Sequence, residues 1–155
     1  MANDILSAYQ LASRLHEGQT DKAGRPYIEH LTRVFLRVQA AGGDATQLIA
    51  ALLHDCIEDG RATVDGLRSD GVPQEAIVLI VALTRQAGQS YPDYLAGVLA
   101  VQGARLIKMA DVEDNSDEAR LSLLSEKDAE RLRKKYAEAF RALDIHVSPK
   151  TIRGT

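Results

Sequence analysis

The chain has 155 residues, a length that suits one domain with a substantial hydrophobic core. Its formal net charge of −3 provides no general attraction for nucleic acid or for an anionic membrane. No apolar stretch is long enough to span a bilayer, and Met1–Asp4 lacks the basic and apolar segments of a secretory signal. Cys56 is the only cysteine, so an internal disulfide is excluded and a cytoplasmic location is expected.

Apolar residues recur at helical spacing along the chain, and no stretch alternates in the manner of a strand. Glycines and a proline predict a loop over residues 18–26. The sequence therefore predicts an all-α fold, with one domain over residues 1–146 and a flexible C-terminal tail over residues 147–155. In chain order, helices are predicted over residues 4–16, from Pro26 to Gly42, and from the N-cap Asp44 to the ionisable residues 54–59. The later helices are predicted from the N-cap Thr63 to Arg68, over residues 74–84, from Tyr91 onward, over residues 105–111, and from Ser125 to Leu143.

The most informative segment is the apolar run 48–53 together with the ionisable residues that follow it, His54, Asp55, Glu58 and Asp59. If the helix continues through them, these four positions span about 140° of its circumference, at about 100° per residue, and share one face. Burying such a cluster without compensation costs several kcal/mol, so the pattern favours a bound cation. A solvated polar helix end is the alternative, and it suits a lone His-Asp pair better than this quartet.

Two other places in the sequence carry matching chemistry. His30 is predicted on an early turn of the second helix, and Asp111 ends another apolar helical run, with Asn115 one turn later. Together with His54 and Asp55 they offer two imidazoles and two carboxylates, a set that suits Mn²⁺, Fe²⁺ or Zn²⁺. Glu58 and Asp59 lie about one turn from these ligands, close enough for proton transfer without binding the ion themselves.

Three motifs in this order resemble a known family. They read G-R-P-Y-I-E-H over residues 24–30, A-A-L-L-H-D-C-I-E-D over residues 50–59, and I-K-M-A-D over residues 107–111. Over about residues 8–145 the chain resembles the hydrolase half of RelA/SpoT proteins and the small alarmone hydrolases, which are HD-domain metal-dependent phosphohydrolases. The resemblance implies a single helical HD-domain bundle that removes the 3′-pyrophosphate of (p)ppGpp. It implies one Mn²⁺ ion held by His30, His54, Asp55 and Asp111.

The resemblance also implies how the other residues act. Glu58 and Asp59 match the pair that assists the attacking water in that family, and Asn115 matches an asparagine that contacts substrate. Lys22 and Lys108 are candidate phosphate ligands because charge-assisted hydrogen bonds to phosphate are strong. The expected partner is therefore a nucleotide, without nucleic acid or membrane, and the sequence leaves the oligomeric state open, a homodimer included.

The chain departs from the family at positions that handle substrate. Asp21 stands where the family has an arginine that packs on guanine, and a carboxylate cannot stack on a purine in that way. Leu31 replaces a proline, and residues 112–115 read Val-Glu-Asp-Asn where the family tends to have Arg-Leu-His-Asn. Two alternatives therefore stay open. One is hydrolysis of another phosphate ester or nucleotide, such as NADPH or a nucleoside monophosphate, with Asp21 selecting a different base, and the other is a non-catalytic nucleotide-binding module.

Overall fold

A computed structural model describes residues 2–145, and the predicted tail over residues 147–155 lies outside the described residues. Over the described range the fold is all-α, as predicted, and its one β-type contact is an isolated bridge between Thr20 and Pro26. None of these helices combines the length and hydropathy that crossing a bilayer requires. The helices are α1 (Ile5–Leu15), α2 (Tyr27–Ala40), α3 (Ala45–Leu53), α4 (Val64–Ser69), α5 (Gln74–Ala82), α6 (Tyr91–Ala100), α7 (Ala104–Asn115), α8 (Glu118–Leu121) and α9 (Glu126–Ile145).

Helix α3 is the centre of the fold. Each residue of its apolar run 48–53 is buried, and the helix packs against α1, α2, α5 and α7. Leu52 and Leu53 are completely buried, and burial of a leucine side chain contributes about 1.5–3 kcal/mol. The C-terminal part of α3 is apolar all round and has no solvent face, so the residues directly after it, His54 and Asp55, lie in the interior.

Side-chain caps fix where several helices begin. Asp44 and Gln47 form a capping box at the start of α3, which confirms the predicted N-cap. Thr63 caps α4 by accepting a hydrogen bond from the Gly66 amide at 3.0 Å, also as predicted. At the start of α9 the Ser125 hydroxyl accepts from the Asp128 amide at 3.2 Å. These caps satisfy amides that have no partner within the helix.

The structure differs from the predicted helices in three places. Helix α3 ends at Leu53 with His54 as its C-cap, so the idea that residues 54–59 share one helical face is wrong. These residues form a compact turn instead, in which the Cys56 amide bonds to the Leu53 carbonyl and Gly60 adopts a positive φ of 71°. Helix α7 continues past residue 111 to Asn115, and the short helix α8 was not predicted.

Candidate metal centre

The four predicted ligands meet at one point in the core. His30 comes from the first turn of α2, His54 and Asp55 follow the end of α3, and Asp111 lies in α7. One ligand atom from each residue lies within 4.8 Å of all the others, and all four residues are buried. Burying two carboxylates this close together is unfavourable without positive charge between them. The four predicted ligands, which are far apart in the sequence, therefore form one candidate metal site.

The distances between ligand atoms match the geometry of a single ion. Asp111 Oδ1 lies 3.1 Å from His30 Nε2 and 3.3 Å from His54 Nε2. Asp55 Oδ2 lies 3.1 Å from His54 Nε2 and 3.6 Å from His30 Nε2. Metal–ligand bonds of about 2.0–2.2 Å at right angles separate neighbouring ligand atoms by about 3 Å. The donor set consequently fits one divalent cation.

Hydrogen bonds behind the imidazoles turn the same ring nitrogen of each toward the centre. His54 Nδ1 lies 2.7 Å from the Ala51 carbonyl oxygen, and His30 Nδ1 lies 2.7 Å from Asp114 Oδ2. Both partners are acceptors, so each Nδ1 carries the proton and each Nε2 points at the other ligands. Tyr27 supports the site in a similar way, because its hydroxyl donates to Asp55 Oδ2 at 2.5 Å.

The pKa values of the four residues show how strongly the centre favours positive charge. Burial alone would lower the pKa of His30, but hydrogen bonds to Asp111, Asp114 and Asp55 raise it to about 10. The pKa of His54 is also raised, because the nearby carboxylates outweigh its burial. Against the effect of burial, His54 lowers the pKa of Asp55 and Lys108 lowers that of Asp111. The carboxylates thus need positive charge between them, as protons on the imidazoles or as a cation.

Glu58 and Asp59 stand beside the ligand cluster without belonging to it. Glu58 Oε1 accepts a hydrogen bond from the Arg85 amide at 2.7 Å, and Asp59 Oδ2 accepts one from Gln19 Nε2 at 2.8 Å. Partial burial raises the pKa of both carboxyl groups. Each carboxylate is therefore held in place and has a greater tendency to accept a proton than a fully solvated acid has.

A cavity of about 320 Å³ opens onto these residues. All the predicted site residues except the buried His54 line it, including Lys22, Lys108 and Asn115. Lys108 Nζ forms a buried ion pair with Asp111 Oδ2 at 2.8 Å, and Asn115 Nδ2 donates to Asp111 Oδ1 at 3.0 Å. Lys22 is exposed at the cavity wall. Two of the three predicted substrate residues consequently contact a metal-ligand candidate directly.

Several residues of the cavity were not predicted from the sequence as functional. Lys135 of α9 lies over the rings of Tyr91 and Tyr136, with its Nζ 5.0 Å and 5.8 Å from their centroids. Burial, together with the nearby charge of Lys108, lowers the pKa of Lys135. In the sequence, its position beside the apolar stripe of α9 was the only sign that Lys135 lies near the interior. Other residues of the site that were not predicted include Tyr27 and Arg120, which line the cavity, and Asp114, which lies behind His30.

The family follows from comparison with known proteins. The sequence pattern described as HD domain matches residues 8–149, so the chain belongs to the HD-domain family. A solved structure of a metazoan orthologue of SpoT, described as hydrolysing ppGpp and acting in starvation responses, superposes with a TM-score of 0.71. The two sequences are 22% identical, and the match covers 94% of each chain. The shared fold confirms the predicted HD-domain helical bundle.

Curated relatives of RelA/SpoT type also match. The guanosine-3′,5′-bis(diphosphate) 3′-pyrophosphohydrolase of Aquifex aeolicus is 29% identical over 122 residues, which cover 74% of this chain and 17% of that protein. The bifunctional (p)ppGpp synthase/hydrolase SpoT of Escherichia coli is 48% identical over 59 residues, which cover 38% of this chain and 8% of SpoT. A GTP pyrophosphokinase of Streptomyces coelicolor is 44% identical over 66 residues, covering 43% of this chain and 8% of that protein. The chain therefore spans less than a fifth of the length of these relatives.

Proposed function

We propose that the chain is a metal-dependent phosphohydrolase that removes the 3′-pyrophosphate of (p)ppGpp. The observation that carries the proposal is the convergence of four buried ligand atoms, all within 4.8 Å of one another, on a cavity that Glu58 and Asp59 also line. Relatives named as (p)ppGpp hydrolases support the choice of substrate. A cytoplasmic location stays a prediction from the single cysteine.

The proposed cofactor is one divalent ion, Mn²⁺, bound by Nε2 of His30 and His54 and by carboxylate oxygens of Asp55 and Asp111. Nitrogen and oxygen ligands in equal number suit Mn²⁺ and similar ions of borderline hardness. When bound, such an ion polarises a phosphoryl oxygen and lowers the pKa of water. Lys108 restrains Asp111 through their 2.8 Å ion pair, and Tyr27 restrains Asp55. The ligands are thus held in position before the ion arrives.

Glu58 and Asp59 carry out proton transfer in the proposed reaction. In the proposed reaction, water attacks the phosphorus attached to the 3′ oxygen, and the bond between that phosphorus and the 3′ oxygen breaks. The proton of the water passes to this carboxylate pair, which returns a proton to the departing 3′ oxygen so that it leaves as a hydroxyl group. Burial raises the pKa of each group above its ordinary value, which makes each carboxylate a stronger proton acceptor. Lys22 and Lys135 line the cavity and supply positive charge for phosphate groups, while Asn115 offers an amide for the substrate.

A second candidate is the hydrolysis of another nucleotide. Asp21 has no planar cation that could stack on guanine, as the arginine of the RelA/SpoT pattern does. Its carboxylate is bound to Arg120 at 2.9 Å. The cavity offers Tyr91, Tyr94 and Tyr136 as aromatic surfaces, and these can stack on any base. NADPH and nucleoside monophosphates are therefore the competing substrates to test.

Parallel assays of ppGpp, NADPH and a nucleoside monophosphate with Mn²⁺-loaded protein test the proposal. We expect pyrophosphate and GDP from ppGpp, with slower or no turnover of the others. Inertness toward ppGpp with turnover of NADPH or a monophosphate would replace the proposed substrate. Inertness toward all three would reject hydrolysis of these substrates.

A variant pair separates catalysis from mere binding. The double variant Glu58→Gln/Asp59→Asn is expected to bind ppGpp while losing hydrolysis. The matched control is Asp65→Asn, because that carboxylate is 95% exposed and lies outside the cavity. If the double variant hydrolyses ppGpp at the wild-type rate, the role assigned to this carboxylate pair is wrong.

A further inference from the structure

Asp114 is a buried carboxylate behind the proposed metal site. It lies on α7, one turn after Asp111, and its side chain is 1% exposed. Its Oδ2 accepts a hydrogen bond from His30 Nδ1 at 2.7 Å, on the side of the ring opposite the other ligands. An acceptor in this position sets the orientation of an imidazole and increases its strength as a metal ligand.

Arginines on two other helices hold this carboxylate. Arg33 Nε of α2 donates to Asp114 Oδ1 at 2.7 Å, and Arg120 Nη1 of α8 donates to Asp114 Oδ2 at 2.6 Å. A buried carboxylate with two guanidinium donors stays ionised and has little freedom to rotate. His30 is therefore backed by a fixed negative charge instead of a neutral acceptor.

Arg120 continues this chain of contacts to the loop over residues 18–26. Its Nη2 donates to Asp21 Oδ2 at 2.9 Å, and Asp21 Oδ1 accepts from the amides of Ala23 and Arg25 at 2.9 and 3.0 Å. Both carboxylate oxygens of Asp21 are thus bound to protein donors. The series Asp21, Arg120, Asp114 and His30 forms a continuous line of hydrogen bonds from the loop to the metal site.

Two departures from the RelA/SpoT pattern meet in this line. Asp21 stands at the position of the family's arginine, and Asp114 stands at the position of its histidine. Arg120 lies between the two carboxylates and pairs with both. Either carboxylate alone would leave Arg120 with fewer partners, so the two departures make structural sense together. Asp21 is thereby connected to the site through its pair with Arg120.

We propose that Asp114 is a positioning residue for His30, and that Asp21 acts on the same ligand through Arg120. This inference rests on the metal set of the proposed function. A purely structural network would change the stability of the fold and leave the affinity for metal unchanged. The two interpretations therefore predict different affinities for metal, which can be measured without substrate.

The test is titration of metal-free protein with Mn²⁺ by calorimetry, for the wild type, Asp114→Ala and Asp114→Asn. Loss of a residue that orients a metal-bound histidine weakens metal binding by about 10- to 100-fold, and we expect this for Asp114→Ala. Asp114→Asn keeps an acceptor for His30 Nδ1 and is expected to lose less. The matched control is Glu118→Ala, an exposed carboxylate on α8 that pairs with Arg133 at 2.8 Å, and it should bind Mn²⁺ as the wild type does.

Asp21→Asn tests whether Asp21 acts on His30 through Arg120. Asparagine keeps the shape of the aspartate side chain and removes its charge. It should weaken Mn²⁺ binding in the wild-type background and have no further effect in Asp114→Ala, since the line is already broken there. Equal Mn²⁺ affinity of Asp114→Ala and the wild type would overturn this inference alone, as would equal losses for Asp21→Asn in both backgrounds. No Mn²⁺ binding by the wild type would overturn the metal site itself.

Discussion

The two sides of the cavity are built on different principles. On the metal side, His30, His54 and Asp111 are buried, and each is held by further hydrogen bonds or ion pairs. On the side proposed for phosphate, Lys22 is exposed and Lys135 is half-buried, and both are long, flexible side chains. A metal site requires fixed ligands, whereas a site for phosphate groups can adapt to its occupant.

This difference explains why the sequence is informative about one side and not the other. Ligands must come from a few residue types on rigid elements, so they leave recognisable motifs. Cations for phosphate can come from any neighbouring helix, and the one proposed here, Lys135, lies on α9. The expected effects of substitution should therefore decrease from the metal side to the phosphate side.

His54→Gln should have the largest effect. Glutamine has a similar length but lacks a ring nitrogen to bind the ion, and loss of several kcal/mol of metal-assisted stabilisation lowers kcat by on the order of 10³-fold or more. Turnover measured beside the bound-metal content checks this. A variant that retains both one ion per chain and wild-type turnover would remove His54 from the metal side.

Glu58→Gln should come second. It removes one proton acceptor and leaves the ligand set intact, so we expect a decrease in kcat of about 10²-fold with unchanged affinity for Mn²⁺. Kinetics under saturating Mn²⁺ and a calorimetric titration measure the two quantities separately. A large loss of Mn²⁺ affinity would instead make Glu58 part of the ligand set.

Lys135→Ala should act mainly on substrate binding. Loss of a charge-assisted hydrogen bond to phosphate costs about 1.5–3 kcal/mol, so we expect KM to rise by about tenfold or more while kcat changes little. Lys134→Ala is the matched control, since this neighbour is 79% exposed and pairs with Glu130. Equal KM values for the two variants would remove Lys135 from the phosphate side.

The smallest expected effect is a displacement of the pH profile. Burial raises the pKa of Glu58 above its ordinary value of 4.5, and a general base acts only when it is ionised. Activity should therefore be lost as pH falls through this raised pKa, so the acidic limb of log kcat should lie above pH 4.5. Rates at saturating Mn²⁺ measure the position of this limb, and unfolding curves at each pH serve as the control. A limb below pH 4.5 would contradict the assignment.

Much of the fold could be predicted, because its signals are local. The apolar run 48–53 predicted the buried helix α3, and Asp44 and Thr63 marked helix starts through their side-chain caps. The end of α3 could not be predicted, since the turn after Leu53 depends on backbone hydrogen bonds that leave no periodic signal. The short helix α8 was missed for a related reason, as four residues carry too little periodicity.

For the site, residue chemistry and family resemblance together predicted a ligand set that lies around one point. Asp114 was noticed as a departure from the family pattern, but its contact with His30 spans 84 positions in the sequence. Arg120 and Lys135 likewise reach the cavity from helices whose packing is set by the tertiary fold. Long-range contacts of this kind have no signature in a single sequence.

The central claim is that one divalent ion is held by His30, His54, Asp55 and Asp111. Anomalous diffraction at the manganese edge, from crystals of the protein grown with Mn²⁺, tests it most directly. We predict a single strong peak at about 2.0–2.2 Å from one nitrogen or oxygen atom of each of these four residues. A peak elsewhere, or none among these side chains, would contradict the account.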